Sequence, residues 1–316
     1  MLAIETENLT KDYPLGFWRT RPYRALDRLT LGVEPGEVFG FLGPNGAGKT
    51  TTLKLLLNLV FPTSGRAEIL GRPPGDVGVR RRIGYLPEHP YFYDHLTAEE
   101  LLSYFGKLFG LPPGDRARRA SALLDQVGLG AERRLPLRRY SKGMLQRVGI
   151  AQALLNEPEV VFLDEPMSGL DPLGRRLVRG LVLSLRDRGT TVFFSSHILS
   201  DAEAMCGRVA ILAGGRLLST GRIAELLESN VKGWEVIVER VSDTALEQLR
   251  PLATRVERIT PTRYSLELPG GSRPEDFVAR LATAGGASLV SINALRETLE
   301  DVFMREVAQH GNERPL

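Results

Sequence analysis

The sequence predicts an α/β fold with a mostly parallel sheet, followed by a smaller α+β domain. Short apolar runs typical of buried strands alternate with segments whose apolar residues recur at helical spacing, as in Val38–Leu42 and the leucine-rich stretch 53–60. Near residue 230 the pattern changes to β-α-β-β-α-β-α, whose core fits a ferredoxin-like split unit. A chain of 316 residues allows two domains, predicted at 1–230 and 231–316.

Composition excludes several classes of protein. With 42% hydrophobic and 25% charged residues the chain is typical of globular proteins, and its net charge of +3 does not favour nucleic acid as a partner. Cys206 is the single cysteine, which fits a reducing compartment. No apolar run approaches the roughly 18 residues of a membrane span and no signal sequence is evident. We therefore expect a cytoplasmic protein with no nucleic-acid partner.

The stretch Gly43–Thr50 reads G-x-x-x-x-G-K-T, the pattern of a phosphate-binding loop. It lies between an apolar run suited to a buried strand and a run at helical spacing, which is the context that such a loop requires. Backbone N–H groups from Gly46 to Thr51 would surround a polyphosphate at the positive end of the helix, while Lys49 neutralises charge and the Thr50 hydroxyl binds Mg²⁺. The alternative is a glycine-rich turn that binds nothing.

An aromatic and basic insert, Tyr13–Arg24, precedes this loop. Its prolines and glycine predict a loop with exposed rings. Tyr13 is the ring that we expect to stack on a purine, because an aromatic ring near a nucleotide can contribute offset stacking. Simple packing of Tyr13 is the alternative.

Two carboxylates, Asp164 and Glu165, follow the apolar run 160–163, and His197 follows a second such run at 191–194. In an open parallel sheet the carboxyl ends of the strands form the ligand-binding edge, where the phosphate loop also emerges. Asp164 is suited to holding Mg²⁺ and Glu165 to accepting a proton from an attacking water. We expect His197 to contact a γ-phosphate, although a lone histidine is usually structural.

Ser141 and Asp171 each precede a helical run, and Pro172 follows Asp171 at the first turn. Both residue types are common helix N-caps, so a purely structural role is open for each.

Taken in order, these motifs resemble those of the nucleotide-binding subunit of an ABC (ATP-binding cassette) transporter over about residues 1–230. Gly43–Thr50 matches the Walker A motif, Val160–Asp164 the Walker B motif with Glu165 as catalytic glutamate, Ser168–Asp171 the D-loop and His197 the switch histidine. The resemblance implies a P-loop NTPase fold of ABC type, with a RecA-like core, an antiparallel β subdomain and a helical subdomain. The stretch 299–303 resembles, more weakly, the tail of ABC-2 type exporter ATPases that include drug and antibiotic exporters.

Two positions depart from the family pattern. Glu88 stands where the family has the Q-loop glutamine, and Tyr140–Met144 stands for the Leu-Ser-Gly-Gly-Gln signature. Ser141 and Gly143 match that signature, whereas Lys142 and Met144 do not. Glu88 adds a carboxylate capable of binding Mg²⁺, and Lys142 adds positive charge. We expect these changes to affect the rate of hydrolysis more than nucleotide binding.

The resemblance implies ATP and Mg²⁺ as ligands and a head-to-tail homodimer, or a pair with a related ATPase, in which the signature of one subunit acts on ATP held by the other. It also implies a separate integral membrane permease, with export as the expected direction. Other possibilities are a non-transport ABC ATPase that regulates a soluble partner and a weakly hydrolysing scaffold. The predicted catalytic residues are Glu165, His197 and Lys49; the predicted metal ligands are Thr50, Asp164 and Glu88; and the predicted nucleotide contacts are Tyr13, Gly43, Pro44, Asn45, Gly46, Ala47, Gly48, Lys49, Thr50, Thr51, Glu88, Ser141, Gly143 and Asp171.

Overall fold

The structure, a computed structural model, describes residues 1–15, 21–227, 231–283 and 287–311. Contacts between residues divide the chain into two compact units, the larger built chiefly from Met1–Ile223 and the smaller from Ala224–Arg305. The boundary predicted near residue 230 stays a prediction. In the described ranges, no helix is both long enough and apolar enough to cross a lipid bilayer.

The elements are numbered in chain order. The strands are β1 (Ile4–Leu15), β2 (Arg21–Val33), β3 (Val38–Leu42), β4 (Ser64–Ile69), β5 (Ile83–Leu86), β6 (Val160–Asp164), β7 (Thr191–Ser196), β8 (Arg208–Ala213), β9 (Arg216–Arg222), β10 (Val231–Glu239), β11 (Arg255–Thr260), β12 (Arg263–Pro269) and β13 (Ser288–Arg296). The α-helices are α1 (Lys49–Leu56), α2 (Val77–Arg80), α3 (Ala98–Leu108), α4 (Pro113–Gln126), α5 (Lys142–Leu154), α6 (Pro172–Asp187), α7 (Leu199–Glu203), α8 (Ile223–Leu226), α9 (Asp243–Leu249), α10 (Pro274–Thr283) and α11 (Leu299–Gly311). Short 3₁₀ turns cover Leu137–Arg139 and Arg250–Leu252.

The main sheet of the larger unit has the strand order β5-β6-β7-β3-β8-β9. Its pairs are parallel except β8 with β9, which form an antiparallel hairpin. Every residue of β3, β6 and β7 is buried, which explains why β3 and β6 carry continuous apolar runs instead of alternating and why β7 has the apolar run Val192–Phe194 at its centre. The ring of Phe193 lies at the centre, within 5.8 Å of the rings of Phe39, Phe41 and Phe162. The predicted α/β class is confirmed.

A second sheet of the larger unit is antiparallel, with the order β2-β1-β4. Here the prediction of a loop over Tyr13–Arg24 was wrong at both ends, because β1 continues to Leu15 and β2 begins at Arg21. Tyr13 pairs with Tyr23, and the two prolines, 14 and 22, pair beside them. Aromatic cross-strand pairing stabilises a hairpin that proline alone would argue against. Part of the predicted loop, residues 16–20, lies outside the described residues.

The helices α3, α4 and α5 pack together and form a helical cluster within the larger unit. A capping box opens α3: the Thr97 hydroxyl accepts from the Glu100 N–H at 3.2 Å, and Glu100 Oε2 accepts from the Thr97 N–H at 2.8 Å. Gly110, with φ +77°, follows the end of this helix.

The smaller unit has the predicted β-α-β-β-α-β order and the antiparallel strand order β11-β12-β10-β13. Alternate residues of β10 and β12 are buried beneath α10, as period-2 patterning requires: Val236, Val238, Leu266 and Leu268 pack with Phe277 and Leu281. This is the order of a ferredoxin-like split unit, as predicted.

Candidate functional site

The loop Gly43–Thr50 joins the end of β3 to the start of α1. Gly48 is the N-cap of α1, with φ 106° and ψ 1°. A Cβ built there would lie 2.7 Å from the Ala25 carbonyl oxygen, so this position requires glycine. For Gly46, with φ +80°, no atom of the described residues lies within 4 Å of where a Cβ would stand. The first N–H groups of α1 lack intrahelical partners, and the loop thus presents a concave anion site at a helix N-terminus.

Lys49 lies under this loop with only 6% of its surface exposed. Its Nζ donates to the carbonyl oxygens of Gly43 at 2.7 Å and Pro44 at 3.3 Å, and it lies 3.4 Å from Glu165 Oε1. The structure therefore brings the predicted lysine and the predicted base into one ion pair. A buried ammonium beside main-chain N–H groups strongly favours an anionic ligand.

Asp164 ends β6 and meets Thr50 of α1. The Thr50 hydroxyl donates to Asp164 Oδ2 at 3.3 Å, and Ser195 Oγ donates to Asp164 Oδ1 at 2.5 Å. Burial raises the pKa of Asp164, with the Ser195 and Thr50 hydrogen bonds opposing this and the nearby Glu165 and Glu88 carboxylates adding to it. A carboxylate held dry beside a hydroxyl is an oxygen donor set that suits Mg²⁺.

Glu165 adopts a left-handed backbone conformation, φ +48°, that is uncommon outside glycine. Its N–H donates to the Ser195 carbonyl and hydroxyl oxygens, each at 3.2 Å, and its own carbonyl oxygen accepts from Gln146 Nε2 at 3.2 Å. Its carboxylate Oε2 lies 2.8 Å from Nδ1 of His197. This backbone conformation directs the carboxylate toward Lys49 and His197, where a base for an attacking water would stand.

A cavity of about 380 Å³ opens over the loop. Its lining includes the two cross-strand tyrosines, Tyr13 and Tyr23, together with Glu88 and Glu165. The loop residues that line it are Pro44, Asn45, Gly46, Ala47, Gly48, Lys49, Thr50 and Thr51. This lining combines aromatic rings, main-chain N–H groups, a lysine and two carboxylates, a set of groups that matches a nucleotide with its phosphates and metal.

Ser141, Gly143 and Asp171 do not line this cavity. Ser141 is exposed and caps α5, accepting from the Met144 N–H at 3.2 Å, while a Cβ on Gly143 would lie 3.0 Å from the Gly169 carbonyl oxygen. Asp171 caps α6, accepting from the Gly174 N–H at 2.9 Å. Both capping roles that the sequence left open are thus present, and these three residues form a group apart from the loop.

Sequence reasoning did not select three residues that the geometry places here: Tyr23, Ser195 and Gln146. Tyr23 could have been found as the strand partner of Tyr13, and Ser195 as the residue two positions before His197 at the strand end. Gln146 carried no local signal beyond being polar within an apolar helical run.

Comparison with known proteins agrees with this geometry. A family model described as "ABC transporter" matches residues 26–168. An uncharacterized ABC transporter ATP-binding protein of Synechocystis sp. is 47% identical over 311 residues, covering 98% of this chain and 86% of that protein. The Nod factor export ATP-binding protein I of Cupriavidus metallidurans is 35% identical over 286 residues, covering 89% and 91%. A solved dimeric, post-hydrolysis ATP-binding cassette bound to ADP and Pi matches with a TM-score of 0.64 and 27% identity, covering 70% of this chain and 98% of that one.

Proposed function

The chain belongs to the ABC transporter ATP-binding proteins, and we propose that it hydrolyses ATP at a site completed by a second copy of itself. Its membership of this family identifies it as an ATP-binding ATPase subunit. The observation that carries the proposal is the separation of two groups: the phosphate loop, Glu88, Glu165 and the two tyrosines line the cavity, whereas Ser141 is exposed and does not line it. A second copy in head-to-tail arrangement would place Ser141 and Gly143 on the γ-phosphate.

Within one chain the residues divide the chemistry. Lys49 and the loop N–H groups hold the phosphates, and Tyr13 with Tyr23 contacts the adenine. Thr50 and Asp164 hold Mg²⁺, which neutralises charge on the β- and γ-phosphates when bound. Their oxygens already lie 3.3 Å apart, which supports that assignment.

Glu165 accepts the proton as a water oxygen bonds to the γ-phosphorus and the bond to the β-phosphate oxygen breaks, giving ADP and inorganic phosphate. His197 donates to a γ-phosphate oxygen and, through its 2.8 Å contact, keeps Glu165 in place. For Lys49 to meet the phosphates its contact with Glu165 has to loosen, so that ATP binding itself frees the base.

Glu88 and Lys142 tune this reaction. Glu88 lines the cavity and adds negative charge beside Asp164, which favours metal retention. The Lys142 stem packs over Gly169, where a Cβ would lie 2.8 Å from Lys142 Cδ, so its charge stands at the D-loop turn. Both side chains change charge near the reacting phosphates, and we infer slower turnover with retained binding.

We further propose a permease partner at an aromatic surface formed by Tyr91, Tyr93, Tyr104 and Phe109. These side chains are 36% to 93% exposed, and Tyr91 and Phe109 also line a cavity of about 350 Å³ at β5 and α3. Exposed rings around a cavity suit an apolar segment of a partner. By analogy with the Nod factor export relative, the partner is a membrane exporter and the chain lies on the cytoplasmic face.

Glu165→Gln tests the core of the proposal. It keeps the size of the side chain but removes the base, so we expect ATP affinity to stay within about twofold while phosphate release falls by roughly 100-fold or more. Glu247→Gln, on the exposed face of α9, is the matched control and should leave both unchanged. Unchanged phosphate release in Glu165→Gln would remove Glu165 from the role of base.

ATP-dependent association, measured by size-exclusion chromatography, tests the dimer. We expect Glu165→Gln to elute as a dimer with ATP and as a monomer without nucleotide. A protein that stays monomeric with saturating ATP and Mg²⁺ would contradict the shared site.

A further inference from the structure

We propose that Gln146 is a positioning residue that couples the two ATP sites of the dimer. It would connect the base of its own site, Glu165, to the signature helix, α5 with its cap Ser141, which serves the other site. This inference rests on the proposed function, because it requires Ser141 to contact ATP held by the partner.

The backbone of Glu165 is held on both sides by hydrogen bonds. Gln146 is 1% exposed, and its Nε2 donates to the Glu165 carbonyl oxygen at 3.2 Å. On the other side, the Glu165 N–H donates to the carbonyl and hydroxyl oxygens of Ser195. A residue at φ +48° persists only where its surroundings hold it, and here both of its backbone polar groups are held.

Gln146 is connected to the signature residue Ser141 through helix α5. Ser141 and Gln146 lie five residues apart at the start of one helix, so they move together. The same end of α5 also contacts the turn that follows Glu165, since Lys142 and Gly143 both pack on Gly169. A shift of α5 toward a partner's γ-phosphate therefore acts on the Glu165 segment at two places, and only Gln146 among these contacts reaches Glu165 itself.

The contact between Gln146 and Glu165 carries this movement into the catalytic site of the same subunit. When the partner's ATP draws Ser141 forward, Gln146 adjusts the Glu165 backbone and brings the carboxylate into register with water in its own site. Filling one site would then raise the rate of the other, giving a Hill coefficient above 1 and at most 2 for two sites.

Gln146→Met removes the donor and keeps the buried volume. We expect kcat to fall by roughly 2- to 30-fold, the range typical of residues that carry coupling. The Hill coefficient should fall below the wild-type value, although ATP-dependent dimerisation still keeps it above 1, while ATP affinity and ATP-dependent dimerisation stay unchanged. Gln126→Met, at the end of α4 and outside the lining of both cavities described above, is the control and should retain the wild-type Hill coefficient.

Mixed dimers with a single working base separate coupling from a general defect. One subunit carries Glu165→Gln, so hydrolysis depends on Glu165 of the other. Gln146→Met in the subunit with the intact base should lower the rate, whereas Gln146→Met in the Glu165→Gln subunit should not. Equal losses in both arrangements would overturn the coupling role and indicate a structural one. If the wild-type chain forms no ATP-dependent dimer, the proposed shared site is wrong. That result is distinguishable from a failure of the Gln146 coupling alone, in which the dimer forms but the two arrangements lose equal activity.

Discussion

Ser195→Ala isolates the contribution of one buried hydroxyl to the site. Ser195 Oγ donates to Asp164 Oδ1 at 2.5 Å and accepts from the Glu165 N–H at 3.2 Å. Asp164 is only 1% exposed, so water cannot replace the lost donor. A hydrogen bond to a charged group contributes about 1.5–3 kcal/mol, and we expect the free energy of unfolding to fall by that amount.

The same change acts on metal binding. Burial raises the pKa of Asp164 and the Ser195 hydrogen bond opposes that rise, so removing the hydroxyl raises the pKa further. The carboxylate then binds a proton more readily in competition with Mg²⁺. We expect weaker Mg²⁺ binding in Ser195→Ala, with the difference from wild type growing as the pH falls.

Urea unfolding at pH 7 measures the change in the free energy of unfolding. Titration of the nucleotide-free protein with Mg²⁺ in a calorimeter measures the change in Mg²⁺ affinity. Ser184→Ala is a suitable control, because Ser184 donates to a carbonyl oxygen of its own helix, α6, and should change stability by no more than about 0.5 kcal/mol. If Ser195→Ala loses no more stability than this control, the hydrogen bond from Ser195 does not hold the Asp164 carboxylate in place.

Three further predictions follow from other parts of the fold. Tyr23→Ala should weaken ATP binding by about 1–3 kcal/mol, typical of lost base stacking, and leave tripolyphosphate binding unchanged; equal losses for both ligands in a fluorescence titration would place Tyr23 away from the base. Gly48→Ala should abolish ATP binding in the same titration, since its Cβ would meet the Ala25 carbonyl at 2.7 Å, and normal binding would contradict the geometry. The hydrogen bond from the Thr97 N–H holds the pKa of the Glu100 carboxyl below its usual 4.5. The stabilisation of the folded chain by this carboxylate is therefore complete above pH 4.5 and is lost as the pH falls through the lowered pKa. Urea unfolding of Glu100→Ala should therefore differ from wild type at pH 7 and approach it in acid; a difference independent of pH would exclude this cause.

Much of the fold was predictable because its signals are local. The phosphate loop, the capping box of α3 and the N-caps Ser141 and Asp171 each depend on residues within a few positions of one another. A fully buried strand such as β6 can be predicted from its continuous apolar run. These features predicted both the fold class and the edge of the sheet where the site lies.

The remainder depends on contacts between segments far apart in the sequence. Tyr23 lies opposite Tyr13 because of the register in which β1 pairs with β2. The prolines in this stretch favour a loop, so the sequence did not predict that pairing. Ser195 reaches Asp164 only because β6 and β7 are neighbours, and Gln146 reaches Glu165 only through the packing of α5. A single sequence records the identity of such residues but not which of them meet.

We propose that one chain carries only part of the site that hydrolyses ATP. The most direct test is the rate of phosphate release per protein molecule, measured at saturating ATP and Mg²⁺ over a dilution series that crosses the dimerisation range. We expect the rate per molecule to fall toward zero as dilution separates the copies, and to recover on concentration. A rate per molecule that stays constant down to concentrations where only monomer is present would contradict the claim.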